Sequence, residues 1–240
     1  EFIAGTACVI GSVLPGIGRA QSKPCPPDRV QVAGGTSVST SCGVGPVGDT
    51  YLSQQASTMS AGQWKQITTG GLSTSLFVDG SNNTLDYLDK GGYDPINRQV
   101  RFIGQSHYGD QRFHQYDESS NTWSNLPDPP WDSGGAAYPG FLGHGYQHNT
   151  IDPATGDFYY RQYNYPRPRR HNRGSGAWSE LPSADSMDIA GALEWLPTIG
   201  TQGGLVFHVG TNVRYWNKAN NTWATGSTSL SGAGGYHNAA

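Results

Sequence analysis

The chain has 240 residues and a formal net charge of -3, and its charged residues reach only 14%, where about 25% is usual for a soluble domain. Its 34 glycines and 11% aromatics suit many short strands joined by tight turns, and no long stretch keeps the 3.6-residue apolar period that a helical bundle requires. The balance of charge gives no general attraction to nucleic acid or to an anionic membrane, so neither is expected as a partner.

In chain order, residues 1–20 read as a truncated secretory signal. Phe2 to Leu14 is apolar and small, and Gly18-Arg19-Ala20 places small residues where a cleavage site before Gln21 needs them. Lipid attachment at Cys8 fits less well, because Gly5-Thr6-Ala7 lacks a leucine and apolar residues continue past the cysteine. The expectation is a secreted, extracellular or periplasmic protein with no membrane insertion after signal removal. Residues 21–60 form a Pro/Gly/Ser-rich leader that contains Cys25 and Cys42. An even pair in an exported chain reads as one disulfide, with two unpaired thiols as the alternative.

From residue 61 onward the sequence repeats. Four tryptophans close similar phrases: Gly62-Gln63-Trp64-Lys65, Asn121-Thr122-Trp123-Ser124, Gly176-Ala177-Trp178-Ser179 and Asn221-Thr222-Trp223-Ala224. They are spaced by 59, 55 and 45 residues. Each interval predicts a four-stranded meander. The first runs Gly91-Gly92-Tyr93, the turn Asp94-Pro95-Ile96-Asn97, then Gln99 to Gly104, Arg112 to Asp117, and the Trp123 strand. The second runs Asn149-Thr150-Ile151, the turn Asp152-Pro153-Ala154-Thr155-Gly156, Asp157 to Tyr160, a poorly patterned strand near Arg169 to Asn172, and the Trp178 strand. The third runs Ala192 to Trp195, Gly203 to Gly210, Val213 to Asn217, and the Trp223 strand. Asp-Pro fixes a turn corner, and Gly or Asn relieves the positions that need positive φ. One meander cannot bury both faces, whereas stacked neighbours can.

These residues resemble the kelch repeat: paired glycines, then a tyrosine, then a tryptophan after an Asn-rich turn. Tyr116 with Asn121-Thr122-Trp123, and Tyr215 with Asn221-Thr222-Trp223, match best, and only Gly203-Gly204 holds the glycine pair in the expected place. The resemblance implies an all-β, kelch-like β-propeller over residues 61–240, with about three complete blades, the start of a fourth at Gly234-Gly235-Tyr236, and an incomplete ring. The Trp64 phrase is expected as an outer strand that completes another blade, and the sequence as a fragment cut at both ends.

Propellers carry ligands at one end of the ring, on the loops joining strands two and three and those joining strand four to the next blade. Here these loops hold Asp86, Tyr87, His107, Tyr108, Trp131, His144, Tyr146, His148, Tyr165 and Arg167. Aromatic faces stack on sugar rings, and Asp, Arg and His bond hydroxyl groups. The expected partner is therefore a glycan or an extracellular protein. His107, Tyr108 and His148 are candidates for acid–base chemistry, against the plainer reading that the histidines make hydrogen bonds between blades. His144 and His148, four apart on a strand, stand about 13 Å apart, too far to share a metal without a bend; a three-His site with His107 is chemically feasible, but no metal or other cofactor is expected. The family also contains carbohydrate-active enzymes of mutarotase, lyase or oxidase type. The copper oxidases need a Cys–Tyr crosslink, and no cysteine lies beyond Cys42. An extracellular adhesion scaffold is the third reading.

Overall fold

The computed structural model describes residues 50–79, 82–104, 112–131, 145–162, 165–184, 191–209 and 212–226. The expected signal, the leader up to residue 49, the two leader cysteines and the Gly234-Gly235-Tyr236 strand lie outside them, while the last residues expected as leader carry a helix. Two short helices, α1 (Tyr51–Ser57) and α2 (Thr74–Phe77), precede the strands, with a small hairpin of β1 (Val78–Asp79) and β2 (Asn82–Asn83).

Three antiparallel sheets follow, each a four-stranded meander in sequence order. Meander 1 contains β3 (Gly92–Asp94), β4 (Gln99–Gly104), β5 (Arg112–Asp117) and β6 (Thr122–Asn125). Meander 2 contains β7 (Asn149–Ile151), β8 (Phe158–Tyr160), β9 (Arg169–His171) and β10 (Trp178–Glu180). Meander 3 contains β11 (Leu193–Leu196), β12 (Gly204–Val209), β13 (Asn212–Asn217) and β14 (Thr222–Thr225). The register is the same in each. One transverse row reads Tyr93, Val100, Tyr116, Trp123 in the first, Ile151, Phe158, His171, Trp178 in the second, and Trp195, Leu205, Trp216, Trp223 in the third. Trp123, Trp178 and Trp223 therefore occupy equivalent outer strands.

Alternation along the strands gives every meander two faces, and these faces stack. Ile103 and Phe113 of meander 1 share a core with Ile151, Phe158 and Tyr160 of meander 2, and Trp178 packs against it. Tyr159, on the opposite face of meander 2, shares a core with Leu193, Trp195, Leu205, Phe207 and Trp216 of meander 3. The innermost strands lie side by side, β3 by β7 and β7 by β11. The buried Asn149 side chain joins the first two, accepting from Ile103 N at 2.9 Å and donating to the Ile103 and Lys90 carbonyls at 3.2 Å. Thr150 Oγ1 accepts from Trp195 N at 3.1 Å across the second joint. Lys90 reaches farther, donating to the Leu193 carbonyl at 3.2 Å and pairing with Glu194 in meander 3.

The turns repeat as closely as the strands. Between strands one and two, a left-handed residue stands at Arg98, Gly156 and Gly203 in turn. Between strands three and four it stands at Asn121, Gly176 and Asn221. In the latter turns, the side chain of Asp117, Asn172 or Asn217 accepts from a backbone N–H two or three residues on, the usual Asx closure. The next residue forms a latch between meanders. Arg173 donates to Asn97 at 2.6 Å and lies 3.9 Å from Asp94 of meander 1, and Lys218 pairs with Asp152 of meander 2 at 2.7 Å. In meander 1 the equivalent position is Glu118, which accepts from Thr50 at 2.7 Å at the start of α1.

The remaining face of meander 1, carrying Phe102, Tyr116 and Trp123, packs against Leu52, Leu76, Phe77, Leu85 and Leu88. A segment of different character thus covers the place where a preceding meander would sit. The Trp64 phrase is not a strand, and Trp64 is 94% exposed. It is the segment after it that reaches a sheet edge, where Gly70 bridges Thr122 in parallel. Among the described residues the three sheets form an open stack, not a closed ring.

Candidate functional site

The expected ligand end lies where β2 leads into β3, β6 into β7 and β8 into β9. His107, Tyr108 and His144 lie outside the described residues. The others fall into two groups.

The first group runs along the innermost strands. The residues preceding β3 and β7 bridge in parallel at Leu88 and Tyr146, with Tyr146 N donating to the Tyr87 carbonyl at 2.5 Å and Asp89 N to the Tyr146 carbonyl at 3.1 Å. The Tyr87 and Tyr146 rings meet edge to face, 6.1 Å between centroids, and Tyr146 meets His148 in the same way at 5.7 Å. His148 Nε2 stands 3.3 Å from Arg161 Nη1. Arg161 donates to the Gly191 carbonyl at 2.9 Å, and its guanidinium lies 4.4 Å from the centre of the Phe207 ring. This line of side chains crosses all three meanders. Tyr146, His148 and Arg161 are buried, while Asp86 and Tyr87 are exposed. Tyr87 (φ 58°) and Tyr146 (φ 26°) both adopt left-handed backbone, which is costly for a side chain with a Cβ and tends to mark functional loops.

The second group surrounds Arg169 on β9. Its guanidinium lies 3.8 Å from the Trp131 ring and 4.4 Å from the Tyr165 ring, donates to Gln162 at 2.5 Å and sits 3.5 Å from Glu180. Tyr165 donates to the same Glu180 oxygen at 2.7 Å. Trp131 is also stacked on Tyr160 and packed edge-on against Trp178. Arg169 and Trp131 are buried, Tyr165 is half-buried and Arg167 is exposed.

Of the expected residues, Asp86, Tyr87, Tyr165 and Arg167 therefore reach solvent, while Trp131, Tyr146 and His148 are buried, Tyr146 against the Tyr87 ring and Trp131 joined to Tyr165 through Arg169. Arg161 and Arg169 were missed by sequence reasoning. A buried arginine is uncommon, and only its position at the ends of β8 and β9 shows that aromatic faces and carbonyls receive it. Among the described residues no group of three His, Cys, Asp or Glu side chains is arranged to hold a metal, and no helix is long and apolar enough to cross a membrane.

Two histidines outside these groups are held neutral. His114, fully buried, meets Asn125 and Thr84 at 2.8 Å each, and burial lowers its pKa to about 4. His171 is lowered to about 4, first by burial and then by the nearby Arg101.

No family model matches the sequence, and no curated protein matches it. Among solved structures, the chain is similar to the crystal structure of the major Malassezia sympodialis allergen Mala s 1, at 11% identity and a TM-score of 0.41. The match covers 62% of this chain and 44% of that one, so this chain spans less than half of that protein's length. A likeness at that level carries no functional argument.

Proposed function

We propose that the three meanders are blades of an exported, kelch-like β-propeller, and that its loop end binds carbohydrate. The observation that carries this reading is the pair of left-handed tyrosines, Tyr87 and Tyr146, from successive loops. Glycine would meet that backbone more easily, so the two positions keep tyrosine for what its ring does, packing at Tyr146 and exposure at Tyr87. It presents the partly exposed Tyr87 ring beside the exposed Asp86 carboxylate. A flat apolar face next to a hydrogen-bond acceptor is the pairing that a sugar ring requires, one for its C–H surface and one for its hydroxyl groups. Buried Tyr146, backed by His148 and Arg161, packs against the Tyr87 ring.

A glycan array on the whole chain, followed by titration of the best ligand, tests the reading. Tyr87→Ala is expected to weaken binding by about tenfold or more, the loss of one stacked ring, with an unchanged melting temperature. Binding that survives Tyr87→Ala, or an array without hits, overturns it.

A further inference from the structure

The outer edge of meander 1 is occupied, and the way it is occupied points to a second edge of the same design. Thr68 to Gly71 runs parallel to β6. Gly70 N donates to the Asn121 carbonyl and Trp123 N to the Gly70 carbonyl, both at 2.9 Å. The Asn121 side chain completes the grip: its Nδ2 donates to the Thr68 carbonyl at 2.9 Å, while its Oδ1 accepts from the Tyr116 hydroxyl at 2.8 Å. The aromatic residue of strand three therefore orients the amide so that its N–H faces the incoming chain.

Meander 3 repeats this arrangement. Asn221-Thr222-Trp223 is identical in sequence to Asn121-Thr122-Trp123. Asn221 is left-handed like Asn121 (φ 55° and 53°), and its Oδ1 accepts from Trp216 Nε1 at 3.1 Å. Trp216 faces Trp223 in the register by which Tyr116 faces Trp123, so Trp223 N and the Asn221 carbonyl point outward from β14 as their counterparts do from β6. Asn221 and Thr222 are exposed. Meander 2 differs, since Gly176 stands at the asparagine position and has no side-chain amide to offer.

We infer that the β14 edge at Asn221-Thr222-Trp223 is a docking edge for an extended peptide carrying a Gly-Gly pair, added as a parallel strand. The chemistry of the occupant follows from the filled edge. A Cβ on Gly70 would stand 3.1 Å from Thr122 Oγ1, and one on Gly71 (φ 69°) would run into the Trp123 carbonyl oxygen. Thr222 and Trp223 present the same groups, so the peptide needs glycine at both places. Main-chain bonds supply affinity, and the close approach supplies selectivity. Among the described strands β14 pairs only with β13, and a strand edge of this kind takes up such a segment readily.

The probe is a labelled synthetic peptide with the sequence of residues 66–72, Gln-Ile-Thr-Thr-Gly-Gly-Leu, titrated into the whole chain by fluorescence anisotropy. Saturable binding with new hydrogen-exchange protection at the Trp223 amide is expected. A peptide with alanine at both glycines is expected not to bind. Asn221→Asp keeps an oxygen for Trp216 Nε1 but replaces the donor amide with a second oxygen, and is expected to weaken binding about tenfold, the loss of one hydrogen bond and a new repulsion. Asn221→Gly, which installs the residue of meander 2 at a left-handed position, is expected to act in the same direction. No saturable binding, equal binding to Asn221→Asp, protection at Trp123 in place of Trp223, or a Trp223 amide already protected in the free protein would each overturn the inference.

Discussion

His114 shows how one side chain ties stability to pH. It belongs to β5 and is held between Asn125 of β6 and Thr84, with both ring nitrogens bonded, and its pKa in the folded protein, about 4, lies below the ordinary histidine value of 6.5. The unfolded chain therefore takes up the proton first. The contribution of neutral His114 is complete above pH 6.5, falls as pH drops toward 4, and levels off below that, a loss of about 3 kcal/mol. Urea unfolding at pH 7 and pH 4.5 is expected to show most of this loss, and His114→Gln to show a smaller difference between the two pH values. An equal difference in both proteins would assign the acid sensitivity elsewhere. Nothing around His114 in the sequence foretells this, because Thr84 lies 30 residues away. By contrast the left-handed residues were legible: Gly156, Gly176, Gly203, Asn121 and Asn221 are types that tolerate positive φ. Arg98 was not, since arginine carries no such signal and only the repeated turn geometry requires it there.

At the level of strands and turns, the sequence announced most of what folds. All twelve strands of the three meanders fall where Asp-Pro corners, alternating apolar residues and Trp phrases place them. The exception is the first Trp phrase. Gln63-Trp64-Lys65 has the local composition of an outer strand, yet it lacks a strand three to pair with among the described residues, and strand formation depends on the neighbour more than on propensity. The latches were equally hidden. Arg173 and Lys218 look like ordinary turn residues, but each reaches back one meander to a buried aspartate. Asp152→Ala removes the acceptor for the Ala154 amide and the Thr155 hydroxyl and takes from Lys218, whose side chain is only 15% exposed, its nearer carboxylate, leaving Asp157 at 3.9 Å. The expected cost is about 3 kcal/mol, read as a lowered midpoint in thermal or urea unfolding. A change below about 0.5 kcal/mol, typical of exposed ion pairs, would mean that the latch does not hold the meanders together.

The whole molecule is asymmetric. One end of the stack is covered by Leu52, Leu76, Phe77, Leu85 and Leu88. At the other, the face of meander 3 equivalent to those bearing Phe113 and Tyr159 carries Leu196, 41% exposed, and Tyr215, 37% exposed, with Val206 and Val213 half-buried. Apolar area of that kind promotes association. The wild-type chain is expected to scatter more light per unit mass as concentration rises, and the double variant Leu196→Asp, Tyr215→Lys to stay monomeric with the same circular dichroism spectrum. Equal association of both proteins would place the adhesive surface elsewhere. This asymmetry was only half legible. The repeat implied an unfilled face, but the cover over meander 1 is built from scattered leucines and a four-residue helix that share no pattern with the repeat.

Nearly every contact that stacks the meanders joins one sheet to the next, so the chain can build them one after another as it emerges. Lys90 breaks that rule, because its partners, the Leu193 carbonyl and Glu194, lie more than a hundred residues downstream. Glu194 is well exposed, so the strut adds little to the strength of the stack. What it adds is timing: it cannot close until the third sheet has taken its seat, which makes the Lys90 ammonium a witness to the completed fold and not one of its causes.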